Sequence, residues 1–507
     1  MLFSACRSGS NSEEIIEVID NPNEPPAVPT VMITVSGDYT GTTLTVNYLE
    51  KPAQASTNTK SISGTITDGT VQLASYPPRG ALIVSITAGS KTSYVGRLVG
   101  SSAIQLKFNL DTSGNLGLRP ADDGKIPIGT YAEFQLISGA LDGNYIQEAD
   151  IDFMGDSGIS GVPDWIPIGT DTAPFTGTYD GDGKKIARLY INKPSDNNVG
   201  LFSYAAGAAT FTGVHIASGS VTGVDYVGGL LARSASDSTG SINNCSNGAD
   251  INGRQGLGGI IGFAASANFN ISACYNTGSV KGNGGTSDSA GIGGVVGYFY
   301  ADITACYNLG EVQNTASQAP TGGVAGYLYL ANMTGCYNAG AVVGSSTTGG
   351  LVGRILAISG TYRQYITACY NLANVQGGTY TGGLIGVCGT YTNDGLYTIT
   401  ASYNTGSVTG GTYHHGIVGK YGYIVYAMDD DAKTHLAVSA SYWKGDESTD
   451  IGWTGSEDNV GKFTTDYFTP STGDSAEWGT GDGSGSGKYW KVGTTGGTML
   501  PKLWYEK

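Results

Sequence analysis

A six-residue phrase recurs in this chain and constrains its fold more than any other feature. Each copy places Cys-Tyr-Asn after a small residue, except that Ser402 replaces the cysteine in the last copy. The copies occupy residues 273–278, 305–310, 335–340, 368–373 and 401–406. The four cysteines of these copies lie 32, 30 and 33 residues apart, and Ser402 follows 33 residues later. This period indicates one supersecondary unit that is repeated and stacked.

A second phrase alternates with the first and consists of two glycines, two apolar residues and usually a further glycine. Its copies occupy residues 228–231, 258–262, 293–297, 322–326, 349–353 and 382–386, with a variant copy at 415–419 that begins at His415. A third segment of each repeat starts at a valine, namely Val280, Val312, Val342, Val375 and Val408. Three short apolar segments per repeat without helical periodicity predict a parallel β-solenoid.

Stacking of equivalent coils predicts columns of identical side chains along the solenoid axis. We expect a ladder of amide hydrogen bonds from coil to coil through Asn276, Asn308, Asn338, Asn371 and Asn404. About eight coils at a rise of ~4.8 Å would form a rod on the order of 40 Å long.

The whole chain is predicted to be all-β, and the segments outside the repeats divide it into several parts. Residues 1–30 form an N-terminal tether and 31–118 are predicted to be a β-sandwich, because short strands alternate there with turn clusters. Residues 119–130 are a linker, 131–445 the β-solenoid and 446–507 its C-terminal cap. Five of the six tryptophans lie late in the chain, which favours a cap that closes the open sheet edges.

Charge and hydropathy argue against nucleic acid as a partner and limit the ways in which the chain could contact a membrane. The net charge of −16 repels phosphate backbones, so we expect no nucleic-acid binding. No apolar run approaches the ~20 residues of a membrane span. Residues 2–6, which end at Cys6, look like the end of a bacterial lipoprotein signal, and a chance cysteine is the alternative. Lipidation of Cys6 predicts an outer-membrane or cell-surface location by lipid anchor; secretion is the other possibility.

The seven cysteines fit a packing role better than a chemical one. Five of the six beyond Cys6 recur with the repeat, and Cys388 does not. Stacked coils would hold their side chains parallel rather than convergent, which favours free buried thiols over disulfides. Cysteine and histidine pairs with zinc spacing are absent from the sequence, so we predict no metal site and no cofactor.

The two phrases together resemble the GLUG-motif repeat, which is named for a Gly-Leu-any-Gly core. Residues 350–353 and 383–386 match that core, and the Cys-Tyr-Asn-x-Gly-x-Val phrase matches the rest of the unit. The resemblance covers roughly residues 131–507. It implies an extracellular β-helix of the adhesin-like kind found in surface proteins of gut Bacteroidales. GLUG repeats also occur beside the zinc peptidase domains of immunoglobulin A proteases. This chain lacks the His-Glu-x-x-His motif, so the peptidase role does not carry over.

No arrangement of acids, nucleophiles or histidines predicts a catalytic site. Two aspartate groups, 150–156 and 180–182, lie near the first coil, and turn-stabilising roles are the simpler interpretation. Residues 428–431 (Met-Asp-Asp-Asp) could bind calcium, although a solvated loop is simpler because the spacing of a calcium loop is missing. The pair His414–His415 is interpreted as surface variation. We therefore predict no enzyme.

The tyrosines of the first phrase are the candidate binding residues: Tyr275, Tyr307, Tyr337, Tyr370 and Tyr403. If the neighbouring cysteines face inward, strand alternation places these tyrosines outside. Such a stripe could stack on sugars or bind a protein. The alternatives are a ladder that only stabilises the stack, or burial of the tyrosines beneath loops.

These features predict a monomeric cell-surface lipoprotein that acts as an adhesin or binding scaffold. Its partner would be a glycan or a host or bacterial surface protein, and only a lipid anchor would contact the membrane. The alternative function is a carbohydrate-active β-helix enzyme, a polysaccharide lyase or glycosidase. That alternative requires clustered acids in a groove beside exposed aromatic residues.

Overall fold

A computed structural model describes most of the repeat region and parts of both flanks. The described residues are 31–36, 40–49, 60–68, 70–73, 75, 77, 82–88, 91–98, 104–109, 125–139, 141–154, 164–284, 291–315, 318–357, 363–390, 396–410, 412–423, 436–439, 441–443, 457–458, 461–462, 490–491 and 502–503. Cys6, residues 428–431 and most of the predicted cap lie outside them.

The N-terminal strands join in a single seven-stranded sheet, so the predicted β-sandwich is not confirmed. Most pairs are antiparallel, but the first strand lies parallel to the last, with Ile33 opposite Leu106. The strands are Val31–Ser36, Thr43–Leu49, Lys60–Thr67, Thr70–Leu73, Leu82–Ala88, Lys91–Leu98 and Ile104–Asn109.

The repeat region is a parallel β-solenoid of about eight turns, as the sequence predicted. Four sheets run along it, and we number them in the order in which one coil passes through them. Sheet 1 has seven described strands, sheet 2 eight, sheet 3 twelve and sheet 4 seventeen. Many coils contribute two strands to sheet 4, which explains its larger number.

The strands of each sheet are as follows. Sheet 1 contains Asp225–Gly228, Gln255–Gly258, Ile292–Gly293, Thr321–Gly322, Thr347–Gly349, Tyr380–Gly382 and Tyr413–His415. Sheet 2 contains Phe202–Ala205, Leu231–Ser234, Ile261–Ala264, Val296–Phe299, Ala325–Tyr329, Val352–Ala357, Ile385–Thr390 and Val418–Tyr423. Sheet 3 contains Ile126–Ile128, Asn144–Gln147, Thr178–Asp180, Thr210–Thr212, Ser241–Asn243, Asn270–Ser272, Ile303–Thr304, Met333–Thr334, Arg363–Thr367, Leu396–Thr400, Leu436–Ser439 and Glu457–Asp458. Sheet 4 contains Ile151–Asp152, Lys185–Ala187, Leu189–Asn192, His215–Thr222, Ser246–Gly253, Tyr275–Asn276, Val280–Gly282, Tyr307–Asn308, Val312–Asn314, Tyr337–Asn338, Val342–Val343, Tyr370–Asn371, Val375–Gln376, Tyr403–Asn404, Val408–Thr409, Tyr442–Trp443 and Gly461–Lys462.

The predicted asparagine ladder is present in sheet 4 and is buried inside the solenoid. Each Nδ2 donates to the Oδ1 of the next coil, over 2.9 Å from Asn276 to Asn308 and 2.8 Å from Asn338 to Asn371. The same Nδ2 also donates to a backbone carbonyl two residues later in its own coil, as Asn308 does to Gly310 at 2.7 Å. The side-chain amides therefore have hydrogen-bond partners within the solenoid, as buried polar groups require.

The ladder explains why the second phrase begins with two glycines. The second glycine of each pair faces the asparagine of its own coil, as Gly294 faces Asn308 and Gly323 faces Asn338. A Cβ on Gly294 would overlap the Asn308 amide and the Gly323 carbonyl oxygen. The two phrases are thus complementary parts of one interior layer.

Five cysteines form a second interior column: Cys245, Cys274, Cys306, Cys336 and Cys369. These five and Cys388, which lies in sheet 2, are buried free thiols. From Cys274 onward, each Sγ of the column accepts a hydrogen bond from the backbone N–H of the cysteine one coil earlier, at 3.4 Å from Cys274 N to Cys306 Sγ. Cys245 Sγ accepts the equivalent bond from Val214 N. Where serine replaces cysteine, Ser402 Oγ accepts the same bond from Cys369 N at 3.1 Å. The corner requires a small side chain whose Sγ or Oγ can accept this backbone N–H, and serine therefore continues the column.

The residue before each cysteine makes a left-handed corner between sheets 3 and 4. Ala273, Ala305, Ala368 and Ala401 have φ of 50–53°, and Gly335 has φ of 61° at the same place. Left-handed backbone is unfavourable for residues with a Cβ and is free of that penalty in glycine.

Ala305→Gly is therefore expected to stabilise the solenoid by about 0.5–1 kcal/mol, since relief of the left-handed strain exceeds the entropy that glycine adds to the unfolded chain. The reciprocal change, Gly335→Ala, should destabilise it by a similar amount. Urea denaturation of the two variants measures both. Equal destabilisation by the two changes would contradict this explanation of the corner.

Aromatic side chains and a short helix fill the N-terminal end of the solenoid. The helix Tyr131–Gln135 continues into the 3₁₀ helix Leu136–Gly139. The Phe134 ring lies 5.4 Å from that of Trp165 and 5.0 Å from that of Tyr179, all three fully buried. This helix, which no sequence pattern predicted, closes the first coils. The first strand of sheet 3, Ile126–Ile128, lies within the predicted linker 119–130.

Candidate binding surfaces

The tyrosines predicted as binding residues form a continuous stack on the outside of sheet 4. Successive ring centroids lie 4.7–4.8 Å apart and the ring planes differ by only 2–4°. We call Tyr275, Tyr307, Tyr337, Tyr370 and Tyr403 the tyrosine stack. The adjoining cysteines and asparagines point inward, as strand alternation predicted.

Each ring face within the stack is covered by the neighbouring ring, so a ligand could reach little more than the ring edges. Tyr275, Tyr307 and Tyr337 are half-buried, whereas Tyr370 and Tyr403 are only 2% and 1% exposed. Beside the stack, two leucines of the same coils, Leu309 and Leu372, are 46% and 38% exposed. Around the stack, the accessible surface therefore includes tyrosine edges and these exposed leucines.

Replacing Tyr307 and Tyr337 together by alanine is expected to lower stability by about 2 kcal/mol, because three stacked ring pairs are lost at about 0.5–1.5 kcal/mol each. Thermal and urea unfolding measure the loss. Tyr365→Ala, which removes a tyrosine that is 42% exposed, is the matched control and should change little. A double variant as stable as this control would show that the stack serves binding alone.

A second outward column lies on sheet 2 and was not predicted from the sequence. We call it the aromatic–arginine column, and it consists of Tyr204, Arg233, Phe263, Tyr298, Tyr327 and Arg354. Its sequence signal is periodic and simple. These residues occupy the outward position of sheet 2 that follows the Gly-Gly-apolar-apolar phrase in successive coils.

The middle of this column is a closely packed aromatic cluster. Phe263 stacks on Tyr298 at 5.0 Å, and Tyr298 on Tyr327 at 4.6 Å, with planes 11–12° apart. Burial raises the pKa of the Tyr298 phenol, whose hydroxyl donates to the Tyr300 hydroxyl at 3.3 Å. The Tyr298 hydroxyl therefore remains protonated and acts only as a hydrogen-bonding group.

Arg233 lies at the N-terminal end of the column among three aromatic rings. Its guanidinium carbon is 5.0 Å from the centre of the Phe263 ring, 5.3 Å from Tyr226 and 5.8 Å from Tyr204. Cations within about 6 Å of a ring centre are attracted by its electron-rich face. Tyr226 belongs to sheet 1, so this cluster spans the corner between two sheets.

The described aspartates near the first coil hold turns and basic side chains in place, and Asp156 lies outside the described residues. Asp150 Oδ1 accepts the Lys185 backbone N–H at 2.8 Å, and Asp152 Oδ1 accepts Arg188 Nε at 2.6 Å. Both carboxylates are therefore engaged by neighbouring groups of the first coils.

Asp180 is held in a comparable way in the next coil. Its Oδ2 accepts Lys125 Nζ at 2.8 Å and its Oδ1 the Asp182 N–H at 2.9 Å. Burial alone would raise the pKa of Asp180, but these hydrogen bonds and the Lys125 charge hold it below its usual value. The Asp180 carboxylate therefore caps this turn and pairs with Lys125.

The remaining chemical candidates give no site within the described residues. No group of three or more His, Cys, Asp or Glu side chains there could hold a metal ion. Burial raises the pKa of the Cys274, Cys336 and Cys388 thiols, which keeps them protonated and unreactive. His414 is exposed and His415 half-buried on sheet 1. No helix in the described part has the length and apolar character needed to cross a bilayer.

Comparisons with known proteins do not assign a family. No model of a known protein family matches the chain. Over 143 residues it is 33% identical to halomucin of Haloquadratum walsbyi, which covers 27% of this chain. The chain spans 2% of the length of that curated relative. A crystal structure described as a "putative immunoglobulin A1 protease" from Bacteroides ovatus aligns at 16% identity with a TM-score of 0.35, covering 75% of this chain and 93% of that one.

Proposed function

We propose that this protein is a cell-surface adhesin or binding scaffold whose solenoid presents a contact surface to a glycan or to a partner protein. One observation carries the proposal: aromatic side chains line the outside of two sheets in columns that repeat at the coil spacing. The open edges of the half-buried Tyr275, Tyr307 and Tyr337, together with the exposed Leu309 and Leu372 beside them, provide contact area that suits both sugars and proteins.

The arrangement of charges supports binding over catalysis. The aspartates nearest to one another each hold a turn, a backbone amide or a basic side chain. A stack of near-identical coils is also rigid, so its surface needs little ordering when a ligand binds. We therefore propose that the protein is not an enzyme.

The proposal extends to how the protein is displayed. Membership of the GLUG-repeat proteins and a Bacteroidales source would place it at the outer membrane or cell surface. Lipidation of Cys6 would anchor it there as a monomer through the tether 1–30. Residues 31–118, arranged as a β-sandwich, would space the solenoid from the membrane, and 446–507 would cap its far end.

A glycan and host-protein array, with parallel assays for polysaccharide cleavage, tests the proposal on the full chain. We expect binding to one ligand class without degradation. The variant Leu309→Ala with Leu372→Ala removes exposed apolar surface beside the tyrosine stack and should weaken binding at that face without loss of stability. Reproducible cleavage of plant or mucin polysaccharide would instead support a β-helix lyase or glycosidase.

A further inference from the structure

We propose that Arg233, Tyr204, Tyr226 and Phe263 form a binding site for an acidic sugar residue, one that carries a carboxylate or sulfate group on a pyranose ring. This inference rests on the proposed binding function and names the ligand class of one surface. It is carried by three observations: a cation without an acid partner among the described residues, rings that enclose it, and a strained backbone that holds one ring in place.

The first observation is the missing counter-ion of Arg233. Two other arginines of the solenoid each pair with a carboxylate through two nitrogens, Arg188 with Asp152 and Arg254 with Asp225. No carboxylate in the described part of the chain forms a salt bridge with Arg233. Its Nε is buried and has no hydrogen-bond acceptor among those same residues. In a protein of net charge −16, a cation left without an acid partner is available to an external anion.

The second observation is the aromatic surround. Phe263 and Tyr226 pack edge to face with centroids 4.9 Å apart, on one side of the guanidinium. Tyr204 lies on the other side, one coil earlier in the same column. All four side chains are half-buried, which leaves part of each open to solvent. Apolar ring faces beside a cation match a sugar, whose C–H groups pack on rings while its acid meets the charge.

The third observation is the backbone of Tyr226, which has φ of 58°. A bulky residue with left-handed backbone is an outlier that the surrounding structure must hold in place. The equivalent residue one coil later is Gly256, with φ of 66°, and the Tyr226 ring lies against it. Its neighbour Asp225 is fixed by Arg254, whose pKa is raised by the hydrogen bond to Asp225. This backbone conformation fixes the Tyr226 ring beside the Arg233 guanidinium.

The chemistry favours an acidic sugar over other anions. The planar guanidinium presents paired N–H donors that fit two oxygens of one carboxylate or sulfate group. A polyanion such as nucleic acid would be repelled by the overall negative charge. A monosaccharide unit with one charge requires one cation, and the enclosed Arg233 is the single cation of this cluster.

Calorimetric titration of the full chain with matched methyl glycosides tests the site. We expect methyl glucuronide to bind about tenfold or more tightly than neutral methyl glucoside. Sialyllactose against lactose, and sulfated against unsulfated galactose, show which acid source is preferred. Arg233→Gln should abolish the preference for the charged ligand, and Lys420→Gln, at the far end of sheet 2, should retain it.

The outcomes separate this inference from the general function. An Arg233→Gln variant that keeps the acidic preference would overturn the site, even if the protein binds glycans elsewhere. Phe263→Leu keeps the charge and should weaken charged and neutral ligands alike. If Arg233→Gln fails to fold, two other results test the site. The parent protein must prefer the acidic ligands, and Phe263→Leu must weaken their binding. A parent protein that binds neither acidic nor neutral sugars overturns the site, and failure on the whole array overturns the binding function as well.

Discussion

Replacing Asn308 by aspartate is expected to destabilise the solenoid by about 3–5 kcal/mol, because the change places an uncompensated charge in the buried ladder. The Asn308 amide uses its full hydrogen-bonding capacity. Its Nδ2 donates to Gly310 O at 2.7 Å and to Asn338 Oδ1 at 2.9 Å, while its Oδ1 accepts from Gly310 N at 3.2 Å and from Asn276 Nδ2 at 2.9 Å.

A carboxylate at this position turns two attractive contacts into repulsive ones. Both oxygens would be acceptors, so the one replacing Nδ2 would face the carbonyl of Gly310 and the amide oxygen of Asn338. Burial would raise the pKa of the new carboxyl above its unfolded value of about 3.9, so the folded variant would bind the extra proton. Its stability deficit should therefore grow as the pH rises from about 4 to 7.

Urea denaturation at pH 4.5 and pH 7.5 measures this effect. Asn268→Asp makes the same chemical change at an exposed residue and is the matched control, with an expected effect within about 0.5 kcal/mol. Because each coil contacts only its neighbours, the opening should be local. Backbone amides of the coils that contain Asn276, Asn308 and Asn338 should therefore exchange hydrogen faster than those of distant coils. A pH-independent loss equal to that of the control would refute the buried ladder.

Gly294→Ala is expected to destabilise the protein by about 3 kcal/mol or more, since overpacking against backbone atoms cannot be relieved by moving a side chain. The added Cβ would overlap the Asn308 amide of its own coil and the Gly323 carbonyl oxygen of the next. Relief would require the two coils to separate, which would break the hydrogen bond from Gly294 N to Gly323 O, 3.2 Å long.

Gly183→Ala provides the contrast that isolates crowding. Gly183 has φ of 68°, and no atom lies within 4 Å of the place that an alanine methyl group would take, so only backbone conformation opposes the change. We expect a loss of about 1 kcal/mol there. Thermal unfolding of both variants gives the comparison. If the two losses are alike, glycine at the second position of the phrase reflects conformation and not contact with the ladder.

The repeat region could be predicted well from the sequence because identical residues in stacked coils meet their own copies. Asn276 pairs with Asn308 and Tyr275 with Tyr307 in register, as a period near 30 residues requires. The N-terminal region was predicted less well, since some of its strands pair over long separations that alternation does not reveal, as Ile33 does with Leu106. The helix Tyr131–Gln135 is too short for a helical period to be recognised.

For the binding surfaces, the sequence indicated which tyrosines align but not how much of each ring remains open. Burial of Tyr370 and Tyr403 depends on what packs over sheet 4, which the repeat does not specify. The residues of the aromatic–arginine column recur with the repeat period, but the sequence did not indicate that they pack together on the outside of sheet 2. Arg233 and Phe263 lie about one repeat apart, and only the corner between sheets brings Tyr226 to them.

The sequence by itself determined the stacked architecture, the asparagine ladder and the inward cysteine column, because a repeat places each residue above its equivalent. Only the tertiary structure decided which outward columns are accessible and which side chains from different sheets meet. The physical reason is that stacking follows the period along the axis, whereas contacts around a coil depend on the angle of its corners and the direction of each side chain.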